Sequence, residues 1–135
     1  MNDLVEFLRA RLDEDEQAAR AALPGPWRTD HNFDQGLRIM DGSGLVITWT
    51  PSFYERGPAD AEHIARHDPA RVLAEVEAKR WLIERHYRRR APNWDRPGHV
   101  GYECAQCANE YPCPTLAILV IPYADHADYR AEWKP

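Results

Sequence analysis

Residues 102–115 read Tyr-Glu-Cys-Ala-Gln-Cys-Ala-Asn-Glu-Tyr-Pro-Cys-Pro-Thr and contain all three cysteines of the chain. Cys104 and Cys107 form a Cys-x2-Cys pair, and Cys113 follows after five residues. A Cys-x2-Cys turn presents two thiolates on one side of a tight loop, at a spacing that suits tetrahedral zinc. Cys113-Pro114-Thr115 is typical of a helix start, so the third thiolate would approach from a second element. The segment predicts a structural zinc site in a knuckle near the C-terminus.

The fourth zinc ligand must be a histidine, a carboxylate or water, because the chain has no fourth cysteine. Three histidines are candidates: His86 near the predicted end of a long helix, His99 just before Cys104, and His126 beyond the predicted last helix. We prefer His86, because it would tether two elements, which is how a structural metal stabilises a small domain. His99 and His126 stay open as alternatives.

Two other interpretations of the cysteines are less favoured. Reduced cysteines are common in protein cores, but these are interspersed with Glu103, Gln106, Asn109 and Glu110, which is no core pattern. A catalytic zinc usually has three protein ligands richer in histidine or carboxylate. The zinc deaminase motif also requires a His-x-Glu element, which this sequence lacks. The sequence therefore gives little support for an enzyme.

The first half of the chain predicts a helix followed by a small antiparallel sheet. Asn2 or Asp3 can cap a helix that runs to about Ala22, where Leu23-Pro24-Gly25-Pro26 ends it. Strands over 37–40 and 45–50 flank Asp41-Gly42-Ser43-Gly44, a sequence typical of a hairpin turn. Trp27-Arg28 is expected to add a third, short strand.

The second half predicts a bent helix pair and a short terminal helix. A short helix is expected over 59–66, and Asp68-Pro69 then starts a longer helix to about Arg89. Residues 91–103 contain two prolines and two glycines and are expected to form a loop. A helix over 115–121 follows, and Tyr129 and Trp133 of the tail should pack back onto the body.

These elements predict the α+β class: an N-terminal helix, a small antiparallel β-sheet, a bent helix pair, and a C-terminal zinc knuckle with a short helix. A chain of 135 residues fits one domain. We expect a helix-sheet-helix body over 1–90 and the zinc knuckle with its tail over 91–135.

Composition and the N-terminal sequence predict a cytoplasmic protein. The first residues carry acidic side chains instead of a basic flank and an apolar run, and no stretch reaches the roughly 18 apolar residues of a membrane span. In a reducing compartment, three clustered cysteines are expected to be ligands and not a disulfide framework.

The charge of the chain is unevenly distributed. The net charge is -5, which disfavours a general nucleic-acid binder. Residues 79–96, however, carry seven basic and two acidic side chains, a local net charge of +5. Four arginines are candidate phosphate contacts, and the nearby aromatic side chains of Tyr87 and Trp94 would stack on bases. These arginines are Arg85, Arg88, Arg89 and Arg90. The alternative is that this arginine run closes a helix, where positive charge complements the helix dipole.

His63 and His67 lie four residues apart on the predicted short helix. Two histidines at this spacing can share a metal, but the metallopeptidase motif needs Glu where Ile64 stands. We therefore interpret the pair as part of a solvated helix face.

Several segments together resemble a family of small proteins described as a domain of unknown function, from actinobacteria and their phages. The segments are Leu4-Val-Glu-Phe-Leu8, Pro24-Gly-Pro-Trp27, Ala61 to Glu77, the Cys-x2-Cys pair, Tyr111-Pro-Cys-Pro-Thr-Leu116 and Pro122-Tyr-Ala-Asp-His126. A looser similarity to phage early proteins of the Ea22 type implies a phage or prophage setting. The family resemblance also implies a histidine at the end of the long helix, here His86, as the partner of the cysteines.

These observations lead to three hypotheses about function. The first is a non-enzymatic interaction or regulatory protein, phage- or prophage-encoded, with a zinc-stabilised scaffold and a protein partner. The second is nucleic-acid binding through the basic 79–96 segment. The third is a zinc hydrolase or a protein that sequesters a small ligand. No membrane partner is expected.

Overall fold

A computed structural model of the chain describes residues 3–32, 36–51, 55–93, 95–98 and 101–135. The helices and strands along the chain are α1 (Asp3–Ala21), β1 (Arg28–Asn32), β2 (Gly36–Met40), β3 (Val46–Thr50), α2 (Gly57–Arg66), α3 (Pro69–Arg85), β4 (Arg88–Arg90), β5 (Tyr102–Cys104) and α4 (Pro114–Leu119). Two 3-10 turns follow, at Ile121–Tyr123 and Ala131–Trp133. This architecture confirms the α+β prediction. None of the helices in the described ranges has the length and apolar character to cross a membrane.

The chain divides into two compact units. The sheet unit comprises residues 14–76, and the cluster unit combines residues 1–13 with residues 77–135. The boundaries fall inside α1 and α3, whereas the sequence suggested a change near residue 90. The single-domain assignment stays a prediction.

The sheet unit is built on an antiparallel sheet with the order β1-β2-β3. The expected hairpin forms, and the short first strand at Arg28 extends to Asn32. In the turn between β2 and β3, Oδ1 of Asp41 accepts hydrogen bonds from the backbone N–H of Ser43 and of Leu45 at 2.9 and 2.8 Å. Ile39 on β2 is fully buried and packs in one cluster with Ala61 of α2. The apolar face of the small sheet is thus covered by a helix, as a sheet of this size requires.

Asp68 joins the start of α3 to the segment before the sheet. Its Oδ1 accepts the backbone N–H of Arg71 at 2.8 Å, which is the predicted N-cap, and its Oδ2 accepts the backbone N–H of Trp27 at 2.7 Å. A Cβ at Gly25 would stand 2.6 Å from that Oδ2. Glycine is therefore needed at position 25 because the carboxylate approaches the backbone so closely.

The tail of the cluster unit packs on the first turns of α1, as predicted for Tyr129 and Trp133. The ring centroid of Phe7 lies 5.0 Å from Trp133 and 6.4 Å from Tyr129. Asp3 accepts a hydrogen bond from Arg130 at 2.6 Å. The predicted last helix also forms, as α4, with Leu116 and Val120 of that region fully buried.

The prediction that the long helix continues to about Arg89 is wrong. Helix α3 ends at Arg85, and Arg88–Arg90 form β4, which pairs antiparallel with β5. Arginine is a good helix former, but in this fold the backbone of the arginine run finds partners on a strand distant in sequence. Tertiary pairing therefore overrides local propensity. The arginine run does not close the helix.

Candidate metal centre

The knuckle, residues 102–113, has a backbone that folds tightly around Cys104. The N–H of Cys104 donates to the carbonyl of Asn109 at 2.8 Å, and the N–H of Ala108 donates to the carbonyl of Cys104 at 2.9 Å. Ala108 makes the turn with φ of 55°. These hydrogen bonds reverse the direction of the chain and place Cys107 in the turn, beside Cys104.

The knuckle is joined to the end of α3 by the β4–β5 pair. Arg88 lies opposite Cys104 in the register. The N–H of Ala105 donates to the carbonyl of Tyr87 at 2.9 Å, which extends the pairing by one step. His86, the first residue after α3, is therefore held next to the cysteine turn.

Cys113 reaches the same place from the start of α4. It precedes Pro114 with extended backbone angles, φ -77° and ψ 163°. Its carbonyl accepts the N–H of Leu116 at 3.0 Å. Proline suits the first helical position because that position has no intrahelical N–H partner. The predicted helix start thus brings the third thiol to the other two.

The four predicted ligands converge in the structure. The Nδ1 atom of His86 lies 3.3 Å from Sγ of Cys104 and 3.4 Å from Sγ of Cys113. All four candidate ligand atoms, including Sγ of Cys107, lie within 4.8 Å of one another. His86, Cys104 and Cys113 are buried, whereas Cys107 is exposed. All three cysteines are free thiols.

These separations are close to those of a tetrahedral metal site. With Zn–S of about 2.3 Å and Zn–N of about 2.0–2.1 Å, tetrahedral geometry places S and N ligands about 3.6 Å apart and two S ligands about 3.8 Å apart. The Nδ1–Sγ distances at His86 are already this short. Two ligand atoms as far apart as 4.8 Å would have to approach by about 1 Å to reach tetrahedral geometry. The cluster could therefore hold a metal ion with little rearrangement.

The pKa values of the thiols differ within the cluster. A hydrogen bond from the backbone N–H of Asn109 is the largest influence on Cys107 and lowers its pKa to about 6. Burial raises the pKa of Cys113 to about 11. A thiolate at Cys113 is therefore unfavourable without a neighbouring cation, and a divalent ion would supply the compensating charge.

Among the described residues, the histidines at positions 63, 67 and 126 do not join the cluster. His126 contacts Arg11 instead, with Nδ1 at 3.0 Å from the guanidinium Nη1, and its ring lies 5.6 Å from that of Phe7. His99 lies outside the described residues. His63 and His67 lie ring against ring, with centroids 4.3 Å apart, on the exposed side of α2 and its end.

The four arginines predicted to contact phosphate have different surroundings in the structure. Arg89 pairs with Glu103, Nη2 to Oε1 at 2.7 Å, and the carboxylate partner is buried. Arg88 lies over the ring of Tyr102 at 4.4 Å, and Arg85 lies over the ring of Trp81 at 4.5 Å. Arg90 lies opposite Tyr102 in the register and is exposed.

Sequence reasoning missed the roles of Trp81, Tyr102 and Glu103. The polar residues around the cysteines, Glu103 among them, form no core pattern in the sequence, but Glu103 is buried and paired with Arg89. The pairing of two three-residue strands leaves no clear periodic signal in the sequence, so these contacts depend on the tertiary structure.

Fold and site together define a small α+β protein with a Cys3His cluster suited to a metal ion. The chain belongs to a family of unknown function, DUF6221, whose model matches residues 1–135. Neither the curated proteins nor the solved structures include a match to this chain.

Proposed function

We propose that His86, Cys104, Cys107 and Cys113 bind a structural Zn²⁺, and that the protein is a non-enzymatic interaction or regulatory protein built on this scaffold. The observation that carries the proposal is the convergence of one imidazole nitrogen and three thiol sulfurs within 4.8 Å. Three thiolates and one imidazole in tetrahedral reach are a donor set that favours zinc over calcium or magnesium, which prefer oxygen ligands.

A structural role is favoured over a catalytic one by the number of ligands. Four protein ligands fill a tetrahedral zinc, whereas a hydrolytic zinc keeps a position for water. Three of the four ligands are also buried. The zinc hydrolase and the ligand-sequestering protein are therefore the less favoured alternatives.

The site would stabilise the cluster unit by joining segments that are distant in sequence. His86 follows α3, Cys104 and Cys107 belong to the knuckle, and Cys113 begins α4. One ion bound to all of them restrains three segments at once, so its binding free energy becomes folding free energy. The function then lies on a surface that this site holds in place.

Metal content of purified protein tests the proposal. Wild type grown with zinc should contain one zinc per chain by elemental analysis, and His126→Ala and His99→Ala should retain it. His86→Ala should lose most of the metal. Full zinc retention in His86→Ala, or wild type that contains iron or no metal, would contradict the assignment. Cobalt substitution adds a spectroscopic check, because tetrahedral thiolate ligation gives intense visible absorption.

The biological setting of the proposal is an actinobacterium or one of its phages, with the cytoplasm as the location and a protein as the partner. Its support is the sequence resemblance, including the looser one to Ea22-type proteins, together with three free thiols that a reducing compartment would preserve. Affinity purification from the native host, with wild type and a metal-free Cys113→Ser variant in parallel, tests it. A partner retained by wild type alone is the expected result.

Nucleic-acid binding is the second candidate function. It is favoured by the exposed arginines beside aromatic rings at the end of α3 and on β4, namely Arg85 and Arg88. Because Arg89 pairs with Glu103, fewer than the four predicted arginines are available to contact phosphate.

A further inference from the structure

Two arginine–aromatic pairs lie close together at the junction of α3 and β4. The guanidinium of Arg85 lies 4.5 Å from the ring centroid of Trp81, and that of Arg88 lies 4.4 Å from the ring centroid of Tyr102. Arg85 and Arg88 are three residues apart, so their Cα atoms are within about 10 Å of each other. We call these four residues the stacking surface.

The rings of the stacking surface are unusually open to solvent. Trp81 is 56% exposed and Tyr102 is 43% exposed, and the neighbouring Tyr87 is 57% exposed. Large aromatic side chains are normally buried to a greater extent. An arginine covers one face of each ring, which holds the ring in place and leaves other ring surface available to a ligand.

The two faces of the β4–β5 strand pair carry different charged side chains. Side chains alternate along a strand, so Arg88 and Arg90 share a face with Tyr102, while Arg89 shares the opposite face with Glu103. The carboxylate of Glu103 neutralises Arg89 on that opposite face. The face with Tyr102, which also carries Cys104, presents the cations of Arg88 and Arg90 in a chain whose net charge is -5.

We infer that the stacking surface binds single-stranded nucleic acid, an inference that rests on the second candidate function above. Single strands offer unpaired base faces for Trp81 and Tyr102 and phosphates for Arg85 and Arg88, and this combination of aromatic platform and cations is how proteins bind single strands without sequence preference. A duplex hides its base faces in the stack, so it would use the cations alone. An anionic membrane would likewise need only the charge.

Fluorescence anisotropy with the full-length zinc-loaded protein tests the inference. The probes are a labelled 20-nucleotide single strand of mixed sequence, the corresponding duplex, and vesicles with one fifth phosphatidylserine in a sedimentation assay. We expect single-strand binding at low salt that exceeds duplex binding by at least about tenfold, since stacking is worth about 1–3 kcal/mol per base. Binding should weaken with salt.

Matched variants separate stacking from charge. Arg85→Ala with Arg88→Ala should weaken single-strand binding at least tenfold and reduce the salt slope by about 1.4, since each phosphate contact contributes about 0.7. The control is Arg66→Ala with Arg71→Ala, which removes two exposed cations elsewhere and should leave affinity within about twofold. Trp81→Leu with Tyr102→Leu should weaken binding by at least about thirtyfold, since two stacking rings are lost, with the salt slope unchanged.

The outcomes separate this inference from the function on which it rests. Equal binding of single strand and duplex, or full affinity in Trp81→Leu with Tyr102→Leu, would overturn the single-strand inference and leave nucleic-acid binding standing. Binding to neither nucleic acid at low salt would overturn both. In that case, binding to the vesicles would assign the surface to a lipid membrane instead. Zinc content and circular dichroism of each variant verify that a loss of affinity is not a loss of fold.

Discussion

The sheet unit and the cluster unit both contain buried apolar side chains, but the cluster unit adds a group of potential metal ligands. In the sheet unit, Ile39 packs against Ala61 in an apolar cluster, and Asp68 accepts two backbone amides. In the cluster unit, three thiols and an imidazole converge at one point. Apolar packing and amide hydrogen bonds are complete within the chain, whereas clustered thiols gain most of their stabilising effect from a cation. Metal removal should therefore act first on the cluster unit.

The largest effect is expected from Cys113→Ser. Serine is a poor zinc ligand, so the variant should lose its metal and at least about 3 kcal/mol of stability in metal-replete buffer. Hydrogen exchange followed by mass spectrometry should show faster exchange over 102–120 and retained protection over 36–50. A chelator added to wild type should reproduce this pattern. Equal loss of protection in both units would contradict the prediction that metal removal acts first on the cluster unit.

The next largest effect is expected from Asp68→Ala in the sheet unit. The substitution removes the N-cap of α3 and leaves the part-buried N–H of Trp27 without its acceptor, so it should cost about 1–3 kcal/mol in urea denaturation. Zinc content should not change. Asp60→Ala, at an exposed residue in the first turn of α2, is the matched control and should cost about 0.3–1 kcal/mol. Loss of zinc in Asp68→Ala would contradict the prediction that the metal site does not depend on this carboxylate.

A smaller effect should appear in the pH dependence of the sheet unit. A hydrogen bond from the side chain of Ser43, with further bonds from backbone amides, holds the pKa of Asp41 below its ordinary value. A depressed carboxyl pKa contributes stability that is present above the unfolded-state value and is lost as the pH falls through the folded-state value.

The measurement compares wild type with Asp41→Asn from pH 7 to pH 2. The difference in their free energies of unfolding should be constant above about pH 5 and should shrink below about pH 4. Ser43→Ala should reduce the pH-dependent part, because it removes the largest cause of the shift. A difference that does not change with pH would show that Asp41 does not act through its charge.

The smallest effect is expected from Ala108→Gly in the knuckle. Ala108 has φ of 55°, a left-handed conformation that strains an L-residue by about 1–2 kcal/mol, while glycine adopts it freely. The variant should be more stable by up to about 1 kcal/mol and should bind zinc at least as tightly, as measured by competition with a chelator. Ala105→Gly is the control, and it should be neutral or destabilising. Destabilisation by Ala108→Gly would show that its methyl group contributes packing.

Much of the fold could be predicted, because its signals are local. The extent of α1, the hairpin around Asp41 and the restart of the helix at Asp68-Pro69 each follow from residues next to one another in sequence. A proline, a cap or a turn residue determines backbone geometry within a few positions. The strand at 88–90 could not be predicted, because its partner lies beyond a loop and its arginines favour a helix locally.

The candidate metal site was predictable only in part, for the same reason. Cys104 and Cys107 are close because the turn between them is short, and the sequence by itself determined that pair and the helix start at Cys113. Which histidine accompanies them was open among three. The structure places His86 there, because α3 ends at Arg85 and β4 pairs with the strand that carries Cys104.

The sequence by itself therefore determined the elements and the chemical types of the ligands, since both depend on neighbouring residues. Only the tertiary structure decided which surfaces these residues form. The β4–β5 pairing brings His86 to the thiols, places Arg89 against Glu103, and leaves Arg88 with Tyr102 in solvent. The physical reason is that backbone pairing between distant strands outweighs the helical preference of the arginine run.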